Sequence, residues 1–375
     1  MSDAEGLPEP DRVEGAPHPR QTPHVLGQSQ AEAEFLDAYT SGRMHSGWMI
    51  TGPRGVGKAT LAWKIATFLL AERAEDGFFG DAPPPPTSLD VSDENPDAKL
   101  VQSGAHPRLS VIRRPYNYDT KKLRQEITVD AVRGLKSFFH MSAADGGRRV
   151  VIVDAADEMN RNAANAILKE LEEPPENTTI LLVAHQPSAL LPTIRSRCRT
   201  LRCAPLDTND LHSALIQAGF ETPNAEALAT LAEGSAGNAI RILQHDGLPL
   251  YGELIRLFSG LPRMDRPHAI KLAEACAGRG SEARYAMTID LIDHFLARTA
   301  RAGLMGPPDT QGAPQEALVL QKLSPHQGAA QVWAQLQQDT SARVQHGRSV
   351  NLDPASLVLD TFFKIEDTAL RIANP

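Results

Sequence analysis

Cysteine is scarce in this chain of 375 residues: Cys198, Cys203 and Cys276 are its only three thiols. They are too few and too scattered for a disulfide framework or a four-thiolate zinc site, and such usage fits a reducing compartment. Long apolar runs are missing too. No stretch reaches the ~18 residues that a membrane-spanning helix needs, and the opening MSDAEGLPEPDRVEG is acidic and Pro/Gly-rich with no apolar core of a signal peptide. Neither export nor a membrane span is expected, and the location expected is cytoplasmic. A surplus of cations is also absent: 38 Lys and Arg face 46 Asp and Glu, for a net charge of -8. The whole surface is therefore excluded as a nonspecific nucleic-acid coat, and any such contact must be a local patch. What is present is ordinary globular material, 41% hydrophobic and 22% charged, long enough for two or three domains at roughly 150 residues each.

Along the chain, residues 1–20 are polar and proline-spaced, the composition of a flexible tail. From Gly47 the pattern reads strand (Trp48 to Thr51), glycine-rich turn, then helix (Ala59 to Ala71). Residues 72–107, with four successive prolines at Pro83 to Pro86, read as an inserted, solvent-facing loop. Strands are expected at Leu109–Arg113, Arg149–Asp154 and Thr179–Ala184, and helices at Thr128–His140 and Asn162–Glu173, the last stopped by Pro174-Pro175. Alternating strands and helices imply an α/β fold with a parallel sheet covered on both faces. Beyond Leu206 the strand signal ends and helical stretches dominate. The division expected is an α/β domain over 21–205, a small helical domain over 206–245 and a larger all-helical domain over 246–375, with no internal repeat.

Gly52-Pro53-Arg54-Gly55-Val56-Gly57-Lys58 fits G-x-x-x-x-G-K between a strand and a helix, where backbone N–H groups and a helix N-terminus can cradle phosphate. The residue after the lysine should carry a hydroxyl for Mg²⁺, and here it is Ala59; Thr60 points about 100° further round the helix. Nucleotide binding and a purely structural glycine turn both remain open. The apolar strand ending in Asp154 places a carboxylate where P-loop enzymes hold the metal's water shell. Ala155 follows it, while Asp157 and Glu158 read best as solvated or capping carboxylates. Thr193-Ile194-Arg195-Ser196-Arg197-Cys198-Arg199 is a basic run that suits a solvated rim, a DNA-phosphate patch, or a guanidinium reaching another subunit's nucleotide. Cys198 reads as a small buried residue, and His185 as a strand-end histidine.

Taken together, Val25-Leu26-Gly27-Gln28, the phosphate loop, Leu171-Glu172-Glu173-Pro174-Pro175, Ser196-Arg197-Cys198 and Asn351-Leu352-Asp353 resemble the AAA+ subunits of bacterial DNA polymerase III clamp loaders. The resemblance implies an AAA+ P-loop domain, a helical lid and a helical collar domain. Within that family the gamma/tau type hydrolyses ATP and the delta-prime type does not. Ala59, Ala155 and Gly237 stand where the motor type has a hydroxyl, a glutamate and a lid arginine, whereas Ser196-Arg197-Cys198 is intact. The delta-prime pattern is therefore the one resembled. It implies Arg197 as a finger acting in trans, and a degenerate nucleotide site at Gly52, Gly55, Gly57, Lys58 and Asp154 with room for ATP or ADP but no hydrolysis. No cofactor is then required. Relatives commonly carry a four-cysteine zinc module; residues 72–107 hold no cysteine, so no zinc is expected. The partners implied are gamma/tau and delta subunits in a heteropentamer, with the sliding clamp and primer-template DNA reached through the complex. Enzymatic membership would be that of the polymerase holoenzyme alone. Two other readings stand beside this one: a self-sufficient ATPase using Thr60 and Glu158, and a DNA-binding module using Arg195, Arg197, Arg199 and Arg202.

Overall fold

The structure is a computed structural model that describes residues 8–10, 12–71, 85–141 and 147–374. The chain folds as two compact units, one formed by 1–220 with 235–237 and the other by 221–234 with 238–375.

The first unit is built on β1 (Gly47–Thr51), β2 (Leu109–Ile112), β5 (Arg149–Asp154), β6 (Thr178–Ala184) and β7 (Arg199–Arg202), hydrogen-bonded in the order β2-β5-β6-β1-β7. Every pairing in this sheet is parallel. Strand β5 is buried at all six positions because its side chains serve two cores. Val150 and Ile152 join Phe35, Trp48, Leu61 and Ile65 on one side, whereas Val151 and Val153 join Met49, Ile167 and Leu182 on the other. This is the reason the strand reads as an unbroken Val/Ile run rather than an alternating one. Helices α1 (Ser29–Thr40) and α2 (Lys58–Leu70) cover the first face; α4 (Val129–Met141) and α5 (Arg161–Glu172) cover the second. Asn160 caps α5 by accepting from the Ala163 N–H at 3.0 Å, and two prolines follow its end. α7 (Thr208–Gln217), capped by Asp207, also belongs to this unit.

Three expectations need correcting. Residues 1–7 and 11 of the expected tail lie outside the described residues, but its later part packs down: His18 is 5% exposed and meets Trp63 edge-to-face with centroids 5.6 Å apart. Within the expected loop 72–107, residues 72–84 lie outside the described residues. The remainder forms helix α3 (Pro96–Ser103), capped by Asn95, and buries Leu89, Ala98 and Val101. The expected strands also lack one: within and after the basic run, Arg195 ends the short helix α6 (Pro192–Arg195), and Arg199–Arg202 forms edge strand β7 against β1.

The second unit is helical: α8 (Ala225–Ala232), most of α9 (Ala236–Gln244), α10 (Gly247–Ser259), α11 (Arg266–Glu274), α12 (Glu282–Met305), α13 (Glu316–Leu323), α14 (Gln327–Ser349) and α15 (Pro354–Ala373). Phe258 packs on Phe295 (4.5 Å between centroids) and Phe362 (5.9 Å) at its core. Glu316 is wholly buried, and its carboxylate is matched by Arg298 Nε at 2.6 Å, Tyr251 Oη at 2.7 Å and the Gly312 N–H at 2.6 Å. A buried carboxylate persists because each oxygen finds a donor. Among the described residues, no helix is long and apolar enough to cross a membrane.

Candidate functional site

The phosphate loop leaves the carboxyl end of β1 and enters α2 through Gly57, whose φ of +98° supplies the left-handed turn. At Gly52 a Cβ would collide with the Cys203 carbonyl oxygen, so only glycine lets the loop pass β7 so closely. The loop is pinned by side chains distant in sequence. Gln28, 2% exposed, donates from Nε2 to Val56 O (3.0 Å) and Ala204 O (2.9 Å), and its Oε1 accepts from Ala204 N (2.9 Å). Ser235 Oγ donates to Arg54 O at 2.9 Å, and Gly237 N to Gly55 O at 3.1 Å.

Lys58 is 3% exposed, and its ammonium is turned onto its own loop, donating to Gly52 O at 2.8 Å and Pro53 O at 2.5 Å. Burial pulls its pKa down to about 8, against the opposing pull of Cys203, Asp154 and Asp157. Gly52, Gly55, Gly57, Lys58 and Asp154 are thus brought to one end of the sheet, and Asp154 is 7% exposed at the tip of β5. Ala59 opens α2 without a hydroxyl, and Ala155 is fully buried beside Asp154.

The two carboxylates downstream have other partners. Asp157 accepts from the N–H groups of His185 (2.9 Å) and Gln186 (3.1 Å), fixing the turn after β6. Glu158 holds two guanidinium groups, Arg54 at 3.2 Å and Arg114 at 2.7 Å. The capping role expected of Asp157 is close to what is seen, but nothing in the local sequence pointed to the double pairing of Glu158. Its partner Arg114 lies beyond β2 and is brought near only by the parallel pairing of β2 with β5.

Arg197 stands elsewhere. Its guanidinium pairs with Glu172 at 2.8 Å and donates to Thr193 O at 3.0 Å, leaving the side chain 38% exposed. The backbone here abuts the amino end of β1: a Cβ on Gly47 would lie 3.3 Å from Arg197 O, 3.2 Å from Cys198 Sγ and 2.7 Å from Leu171. Cys198 packs against the second core, and burial pushes its thiol up to about 12, which leaves it an unreactive filler. Arg199 lies over the Trp48 ring at 5.2 Å, whereas Arg195 and Arg202 are exposed. Because β1 is five residues long, about 13 Å of strand at ~3.3 Å per residue separates Arg197 from the phosphate loop. No group of three His, Cys, Asp or Glu able to hold a metal occurs among the described residues.

A parallel sheet of this order, with a G-x-x-x-x-G-K loop after its β1 strand and an acidic residue ending β5, defines an AAA+ type of P-loop domain. Residues 27–207 match the family described as "DNA polymerase III, delta subunit". Delta-prime subunits of DNA polymerase III align from Pseudomonas aeruginosa (33% identity, 58% of this chain and 60% of the relative) and Escherichia coli (30%, 57% and 59%). The corresponding subunit of Bacillus subtilis is 29% identical over 54% of this chain and 55% of its own length. Over residues 27–207 the chain is similar to the delta-prime subunits of DNA polymerase III. It spans about three-fifths of the length of the relatives it matches. Among solved structures, a DNA polymerase III gamma subunit-related protein of Thermotoga maritima aligns at 16% identity and a TM-score of 0.39, covering 89% of this chain and 99% of its own.

Proposed function

We propose that the chain is the non-hydrolysing stator of a DNA polymerase III clamp loader. It would stand in the cytoplasm, in a heteropentamer with gamma/tau and delta subunits, with the sliding clamp and primer-template DNA as targets of the assembly. The observation that carries this reading is the separation of Arg197 from the loop of its own chain: the two lie at opposite ends of β1. An arginine so placed cannot serve the nucleotide site of its own domain, but it can reach a site on a neighbour that packs against that edge. There its charge would offset the negative charge building on a transferred phosphoryl group, worth about 10³ to 10⁵ in rate for such fingers. The pairing with Glu172 holds the side chain until a stronger anion competes for it.

The chain's own phosphate loop fits this division of labour. Ala59 offers no ligand for Mg²⁺, Ala155 offers no carboxylate to orient water, and Glu158, the candidate substitute, is engaged by two arginines. Lys58 and the loop glycines would still meet phosphate, so ATP or ADP binding without turnover belongs to the proposal. So do the lid and collar assigned to 206–245 and 246–375. Arg197→Ala is the test. It should leave the fold of the chain unchanged by circular dichroism while lowering ATPase and clamp loading of the reconstituted complex at least tenfold, within the ~10³ to 10⁵ that such fingers contribute. Unchanged rates would remove the finger. Mg²⁺-dependent ATP turnover by the purified chain alone would replace the stator with a motor.

A further inference from the structure

Apart from Arg114, the segment between β2 and α4 plays no part in the site above. It reads Arg113-Arg114-Pro115-Tyr116-Asn117-Tyr118-Asp119-Thr120-Lys121-Lys122-Leu123-Arg124 and forms an antiparallel hairpin, β3 (Tyr116–Asn117) with β4 (Lys122–Leu123). Its root is fastened. Arg113 pairs with Glu9 at 2.6 Å, Arg114 with Glu158 at 2.7 Å, and the Arg124 N–H bonds Pro115 O at 2.9 Å. Its turn is shaped by Asn117, whose Oδ1 accepts from the N–H groups of Asp119 (2.9 Å) and Thr120 (3.3 Å).

Two features of the tip are unusual for this chain. Tyr118 is 73% exposed, the one aromatic side chain among the large apolar side chains that stand exposed in the described residues. It is not loose, because Tyr116 meets it at right angles with centroids 5.2 Å apart, a contact that still leaves the Tyr118 ring mostly open to solvent. Beside it in the hairpin, Lys121, Lys122 and Arg124 are all exposed, and none forms an ion pair with a described residue. The exposed acids Asp119 and Glu126 offset two of these three charges, so the tip is a small cationic cluster and not a broad basic field.

We propose that this hairpin binds single-stranded nucleic acid, with Tyr118 stacking on one base and Lys121, Lys122 and Arg124 holding the adjoining phosphates. A ring presented for stacking needs a base that is already unpaired, which favours a single strand over a duplex, and a few cations beside one aromatic platform suit a short backbone segment. An acidic peptide would satisfy the cations but leave the ring idle. Single-stranded DNA and RNA share this chemistry. DNA is the expected source, and that choice rests on the clamp-loader reading, whereas binding itself does not.

The test is fluorescence anisotropy of labelled oligothymidylate with the full chain, titrated with salt. The logarithm of affinity should fall against the logarithm of salt with a slope of about -2, from three phosphates at ~0.7 each on a single strand. The combined Lys121→Gln, Lys122→Gln and Arg124→Gln variant should bring the slope close to zero. Tyr118→Ala should weaken binding about tenfold at an unchanged slope, and Tyr118→Phe should restore it. Absence of binding at low salt, wild-type binding by the triple variant, tighter binding of duplex, or equal competition by polyglutamate would overturn the proposal. Oligothymidylate bound more tightly than oligouridylate supports DNA; equal or reversed preference overturns that assignment while leaving the Arg197 experiment untouched.

Discussion

Replacing Gln28 with leucine should be among the more damaging single substitutions in the first unit, although its amide performs no chemistry itself. The side chain makes three hydrogen bonds, to Val56 O, Ala204 O and Ala204 N, from a position 2% exposed. At about 1 kcal/mol net per bond the loss is roughly 3 kcal/mol. Ala204 is exposed, so water can recover part of its two bonds, but the bond to Val56 O is buried and that carbonyl stays without Gln28. The orphaned carbonyl adds ~1–3 kcal/mol and the leucine regains some apolar burial, which brackets the total at about 2–4 kcal/mol. Urea unfolding followed by tryptophan fluorescence in a Trp333→Phe background, where Trp48 and Trp63 report the first unit, measures it. With a urea dependence of about 2–3 kcal/mol per molar, the midpoint should fall by ~1 M. Gln217→Ala is the control. Its amide also makes paired bonds, to His24 N (3.2 Å) and His24 O (3.0 Å), but both are exposed and should cost about 0.5 kcal/mol or less. Equal, small shifts for the two variants would show that the burial of the Gln28 amide does not secure the phosphate loop.

Two further outcomes follow from the second unit. Arg298→Ala leaves the fully buried Glu316 carboxylate without its guanidinium and should destabilise by about 3–5 kcal/mol in thermal unfolding; adding Glu316→Gln should return part of that loss. Burial lowers the His294 pKa to about 4, with Glu233 and Glu316 opposing and Arg298 and Arg301 assisting. A folded value below the unfolded 6.5 means that the unfolded chain takes up the proton first. Stability should therefore hold above that value and decline as pH falls towards 4, by at most about 3 kcal/mol from this residue. His294→Leu should flatten the pH profile of the unfolding midpoint in that window.

How far the sequence could be read depended on how local the cause was. β5 and β6 were legible because burial on both faces forces an unbroken apolar run, and α5 because Pro174-Pro175 ends it. Strand β7 was not, since Arg-Thr-Leu-Arg has one apolar residue in four; it exists because the edge of β1 offers it a ladder. Helix α3 was hidden by the prolines upstream, though Asn95-Pro96 is itself a start signal. The phosphate loop and its missing hydroxyl were plain from spacing. The partners of Gln28 and Glu158 were not, because they come from segments joined only by the fold.

The pairing of Glu158 has one more implication. A single carboxylate neutralises one arginine from the phosphate loop and one from the root of the basic hairpin, so neither cation's compensation is private. Should an anion arriving at the loop draw Arg54 away, Glu158 would be left with a fuller negative charge for Arg114, and the hairpin would be gripped harder at its base. Loss of Arg114 would in turn tighten the hold on Arg54. One shared carboxylate thus links the loop after β1 to the root of the hairpin in the same unit.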